Sequence, residues 1–127
     1  SDIENLMAVT YAYKYNVHYW SMDVKPAGLY NVPIQIVPAV NPLMLRRGDT
    51  LLLRIYKDGA PYANAPVIAD VLGNLSSVIR ADENGYVSVR VSNDGLNVIG
   101  VEVALPTADV NVTKKVFSSL SFILPAE

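Results

Sequence analysis

Cysteine is absent from the chain, so neither a disulfide framework nor a thiolate metal centre is open to it, and its stability has to come from core packing. Histidine is nearly as scarce. His18 stands alone, and no Gly-x-Ser-x-Gly turn presents a nucleophile to it, so a Ser-His-Asp arrangement has nothing to build on. Charge of one sign is also missing: 10 basic residues face 12 acidic ones, for a formal net charge of −2. The only adjacent basic pairs, Arg46-Arg47 and Lys114-Lys115, read as solvated turns or strand edges, and nucleic acid is not expected as a partner. No apolar run approaches the roughly 18 residues of a membrane span, and no charged segment followed by an apolar core opens the chain. Glycine pairs that would cradle a phosphate ahead of a helix are lacking as well.

What is present is alternation. From Val9 to Tyr19 the odd positions are Val9, Tyr11, Tyr13, Tyr15, Val17 and Tyr19, and the even ones Thr10, Ala12, Lys14, Asn16 and His18. This period of two predicts a strand with one aromatic face. Tyrosines on such a face pack on the sheet with their hydroxyls at the rim, or else form a platform of Tyr11, Tyr13 and Tyr15 that stacks on a ligand such as a sugar ring. Between residues 25 and 49 the prolines at 26, 33, 38 and 42 disfavour helix, leaving a short strand at Ile34, Ile36 and Val37.

Beyond Gly48-Asp49, Leu51, Leu53 and Ile55 share a face, and Asp58-Gly59 supplies a turn. Val67 and Ala69 continue the pattern, a short strand falls around Ser77 to Arg80, and Asn84-Gly85 before Val87, Val89 and Val91 carries the sequence signal of a hairpin. Ile99, Val101 and Val103 form the next inward face, Pro106 to Asn111 a loop, and Val116, Ser118, Leu120, Phe122 and Leu124 the last strand. Seven or eight strands at regular spacing define an all-β class, an antiparallel immunoglobulin-like or prealbumin-like sandwich. The 127 residues suit one such domain, and from the Ser1-Asp2 opening a fragment or module of a longer secreted protein is expected.

Candidate chemistry is sparse. Asp49, Asp58, Asp82, Glu83 and Asp94 fall in turns, where carboxylates bond backbone N–H groups. As a metal ligand His18 would need oxygen or nitrogen partners, and Asp23 is its local candidate; otherwise His18 is a surface residue of the strand. The pattern contains no catalytic motif, and the chain is expected not to be an enzyme.

One resemblance adds to this. Pro26-Ala27-Gly28, Ile34-Gln35-Ile36-Val37-Pro38, Asn41-Pro42, Gly48-Asp49, Asp58-Gly59-Ala60-Pro61, Ala65-Pro66-Val67 and Ala81-Asp82-Glu83-Asn84-Gly85 together resemble an uncharacterised bacterial family linked to periplasmic components of nickel and cobalt uptake systems, over roughly residues 26 to 105. The resemblance implies a periplasmic or extracellular, non-enzymatic binding module accessory to transition-metal uptake, with nickel or cobalt as its ligand and a transporter, a cell-surface protein or other domains of the same chain as partners. Imidazole suits both metals, which directs that version to His18 and Asp23. A structural or adhesion module and a carbohydrate-binding module are the alternatives.

Overall fold

The computed structural model describes residues 8–23 and 31–126; Pro26-Ala27-Gly28 of the resemblance lies outside them. Nine strands follow in order: β1 Val9–Tyr19, β2 Ile34–Pro38, β3 Thr50–Lys57, β4 Ala60–Pro61, β5 Pro66–Asp70, β6 Asn74–Arg80, β7 Tyr86–Arg90, β8 Gly95–Pro106 and β9 Val112–Leu124. They form a five-stranded sheet ordered β1-β9-β8-β5-β6, and a smaller one in which β3 lies between β2 and β7 and carries the two-residue β4 on its end. The chain is thus an all-β sandwich. No helix among the described residues is long and apolar enough to cross a membrane; a 3₁₀ turn at Pro42–Met44 is capped by the Asn41 side chain, which accepts from the Leu43 N–H.

Alternation decides what enters the core. Leu51, Leu53 and Ile55 of β3 are completely buried, as are Val116, Leu120 and Phe122 of β9 and Val101 of β8. Each such side chain contributes on the order of 1.5–3 kcal/mol by leaving water. Val87 and Val89 of β7 and Ile34 and Ile36 of β2 flank the β3 residues in the small sheet and complete the layer that faces β8 and β9. The two layers are also tied by a polar contact: the Ser118 hydroxyl donates to the Ile34 carbonyl at 2.8 Å within the core.

Three details depart from the sequence reading. Seven or eight strands become nine because β4, a hairpin return of two residues, has too little sequence to show a pattern. Its turn, Asp58-Gly59, has φ of +50° and +82°, the positive values that a two-residue hairpin loop compatible with strand twist requires. Secondly, Asn84-Gly85 does not join a hairpin, since β6 lies in the large sheet and β7 in the small one. It turns the chain from one layer to the other: Asp82 Oδ1 accepts from the N–H groups of Asn84 and Tyr86 at 2.8 and 2.9 Å, and a Cβ on Gly85 would stand 2.6 Å from the Ile55 carbonyl oxygen. Thirdly, the pairing is not antiparallel throughout, because β1 joins β9 in parallel, Val9 opposite Val112 through Tyr19 opposite Phe122.

Candidate functional site

All but one of the sequence-predicted site residues lie on β1, and the fold gives its two faces different surroundings. Odd residues of β1 share a face with Val116, Leu120 and Phe122 of β9, which is the core side of the large sheet. The small sheet is shorter, however. Ser118 reaches Ile34, the first residue of β2, so β9 from Val112 to Lys115 and β1 from Val9 to Lys14 run out beyond it.

The exposure follows this geometry. Tyr19 is 2% exposed, Tyr15 and Val17 are half-buried against the core, and Tyr13 and Tyr11 rise to 42% and 54%. Of the two expectations for the tyrosine row, packing on the sheet describes Tyr15 and Tyr19, whereas Tyr11 and Tyr13 stand on a shelf that no described strand covers, so Tyr15 is not part of the exposed set. Beside them the Lys114 ammonium sits 5.0 Å from the Tyr13 ring centroid, a cation–π contact. Where the shelf meets the end of the small sheet lies an open hollow of about 520 Å³, lined by Asn31, Pro33, Gln35, Asp58, Gly59 and Lys114. Two side-chain amides, one carboxylate and one ammonium line it, and the ammonium joins it to the exposed Tyr13 ring. That set offers apolar faces for stacking together with mixed donors and acceptors.

Lys114 and Lys115, adjacent in sequence, do not form one solvated pair. Parity separates them, because Lys114 lies two residues before Val116 and shares its face, whereas Lys115 pairs with Glu102 at 3.2 Å on the outer side.

The even face of β1 is polar. His18 Nδ1 lies 2.8 Å from the Ser121 hydroxyl, and the Asn16 amide donates to Ser119 at 2.8 Å and to Ser121 at 3.3 Å. Ser119 and Ser121 are buried although they face outward, because both are small and Asn16 and His18 lie over them. Asp23 comes after the strand has ended, and its N–H bonds the Ser21 hydroxyl. Among the described residues no group of three or more His, Asp or Glu side chains gathers to hold a metal, so the imidazole brings one committed nitrogen and no assembled coordination shell.

A further aromatic and cationic cluster escaped the sequence reading. On the outer face of the small sheet Arg54 lies 4.5 Å from the Tyr86 ring centroid and 5.4 Å from that of Tyr56. Its guanidinium also donates to the Asn84 carbonyl at 3.1 Å, which makes it an anchor for the turn before β7. The signal for it is alternation across two strands, Arg54 and Tyr56 with Tyr86, which only the register of β3 with β7 joins.

The fold and this site define a β-sandwich domain with an aromatic shelf at one end of its larger sheet. Over residues 7–104 the chain matches the family described as a domain of unknown function, DUF4198, and it belongs to that family. The match ends before β9, the strand that holds Lys114 and seats β1. No curated protein and no solved structure matches the chain.

Proposed function

We propose that this domain is a non-enzymatic binding module of the periplasm or cell exterior, and that it takes a glycan on the shelf of Tyr11 and Tyr13. The observation that carries this reading is the overhang, which leaves two tyrosines of a core-facing row exposed, with Lys114 connecting Tyr13 to the hollow of Asp58, Asn31 and Gln35. Aromatic rings stack on the C–H faces of sugars, and amides with isolated charges exchange hydrogen bonds with hydroxyls. Saturation-transfer NMR with soluble β-glucan, mannan and chitin oligosaccharides tests it. Transfer to at least one of the three is expected, with affinity weakened about tenfold in Tyr13→Ala, the factor a stacking contact of roughly 1.4 kcal/mol supports. Absence of transfer from all three at millimolar concentration sinks the glycan reading.

The metal-uptake version keeps His18 as its described imidazole, with Asp23 beyond the strand end. Its support is the residue pattern from Ile34 to Pro42 and the outward position of His18 on β1. Calorimetric titration with nickel, showing heat that His18→Ala removes, is its expected result; no heat at millimolar nickel would end it.

A further inference from the structure

We infer that β1 pairs edge to edge with β1 of a second copy, joining two five-stranded sheets across a two-fold axis. The starting point is backbone direction. The Val9 N–H donates to the Asn111 carbonyl at 2.8 Å, and the Tyr15 carbonyl accepts from the Ser119 hydroxyl at 3.4 Å. Both odd residues therefore turn their peptide groups toward β9. In a strand the N–H and C=O of one residue point to the same side and those of the next residue to the other. Thr10, Ala12, Lys14, Asn16 and His18 consequently direct theirs away from β9, where no described strand receives them.

The other edges are blunted in ways that sheet proteins use against open pairing. β2 has five residues and is bracketed by Pro33 and Pro38. β7 is equally short and ends at Arg90, and β6 pairs through a register irregularity at Ile68 and Asp70. By contrast β1 runs for eleven residues without proline, glycine or a shift in register.

The sequence of β1 also fits its own reverse. In an antiparallel pair the hydrogen-bonded positions must come from the outward, even set on both strands. Centring the axis on Tyr13 sets Ala12 opposite Lys14 and Thr10 opposite Asn16, twice each, for about eight backbone hydrogen bonds. It sets Tyr13 against Tyr13, Tyr11 against Tyr15 and Val9 against Val17 at the closer, non-hydrogen-bonded positions, where aromatic cross-strand pairs are favourable. A centre on Lys14 would oppose two ammoniums and is disfavoured, whereas Ala12 leaves room for the Lys14 side chain. A net charge of −2 per copy gives little long-range repulsion to overcome. This pairing needs no ligand on the shelf, and it would make the tyrosine surfaces of the two copies continuous.

Sedimentation velocity of the chain from about 10 µM to about 1 mM, the range in which small interfaces are read, tests the proposal. The expected result is a concentration-dependent dimer that Ala12→Pro abolishes, because that N–H serves the free edge and not β9. Ala12→Lys, which opposes two ammoniums twice, gives the same loss if the proline variant fails to fold. The chain has no cysteine, so a single Tyr13→Cys variant reports the axis: it is expected to form a disulfide dimer under mild oxidation much faster than Tyr11→Cys. A monomer across the whole range, a dimer unaffected by both Ala12 variants, or equal cross-linking of the two cysteine variants would overturn the proposal.

Discussion

The two halves of the β1–β9 ribbon carry the same alternation and have different fates. From Tyr15 to Tyr19 and from Val116 to Leu124 the inward residues lie under the small sheet, and Tyr19, Val116, Leu120 and Phe122 are buried. From Val9 to Tyr13 and from Val112 to Lys114 no described strand lies over the same face of the same strands, and Tyr11 and Tyr13 are exposed. A period of two tells which face a side chain takes. Whether a second layer lies over that face depends on where a different strand, here β2, begins.

The largest test of this contrast compares two aromatic residues on one face. Phe122→Ala would empty a completely buried site, at a cost of about 3–5 kcal/mol. Urea denaturation should show a large fall in midpoint or no cooperative transition at all. Tyr13→Ala, on the uncovered shelf beside Lys114, should remain within about 1 kcal/mol of the parent, as surface substitutions do. Equal losses at the two sites would mean that the shelf is covered in solution and would break the comparison.

Much of the fold was legible because its signals are local. The buried sets of β3, β7, β8 and β9 follow directly from alternation, and Asp58-Gly59 is a turn in both sequence and structure. Asn84-Gly85 shows the limit. Turn chemistry fixes the bend, with Asp82 holding Asn84 and Tyr86, yet the partner of β7 is β3, more than thirty residues upstream and invisible to a local reading. The parallel seat of β1 on β9 is non-local in the same way, since it joins the two ends of the chain. Of the candidate site, the tyrosine row and the polar position of His18 could be read from period alone. The exposure of Tyr11 and Tyr13 could not, and neither could the approach of Lys114 to Tyr13, because both depend on the relative lengths of two sheets.

An intermediate effect is expected at the boundary between the two halves. Ser118 is buried, and its hydroxyl supplies the Ile34 carbonyl with a hydrogen bond at the start of β2, the point where cover begins. Ser118→Ala removes that donor with almost no change of volume and leaves the carbonyl's partner missing, which should cost about 1–2 kcal/mol. Ser118→Val would fill the space but still lacks the donor, so it should recover little. Hydrogen exchange sharpens the point: amides of β2 should exchange faster in Ser118→Ala, while those of β7, on the far edge of the same sheet, should change less.

The smallest effect belongs to the polar face of β1. His18 is exposed, and its ring meets the Ser121 hydroxyl at 2.8 Å. Removing the imidazole does not strand that hydroxyl, because the Asn16 amide already lies 3.3 Å from it and water can reach the vacated space. A hydrogen bond replaced in this way contributes little net stability, so His18→Ala should shift the urea midpoint by no more than about 0.5 kcal/mol equivalent. Asn16→Ala should cost more than His18→Ala, because Asn16 bonds both Ser119 and Ser121, which are nearly closed to solvent. The reverse order would mean that the imidazole, and not the amide, organises this face, and it would move the centre of the polar patch from Asn16 to His18.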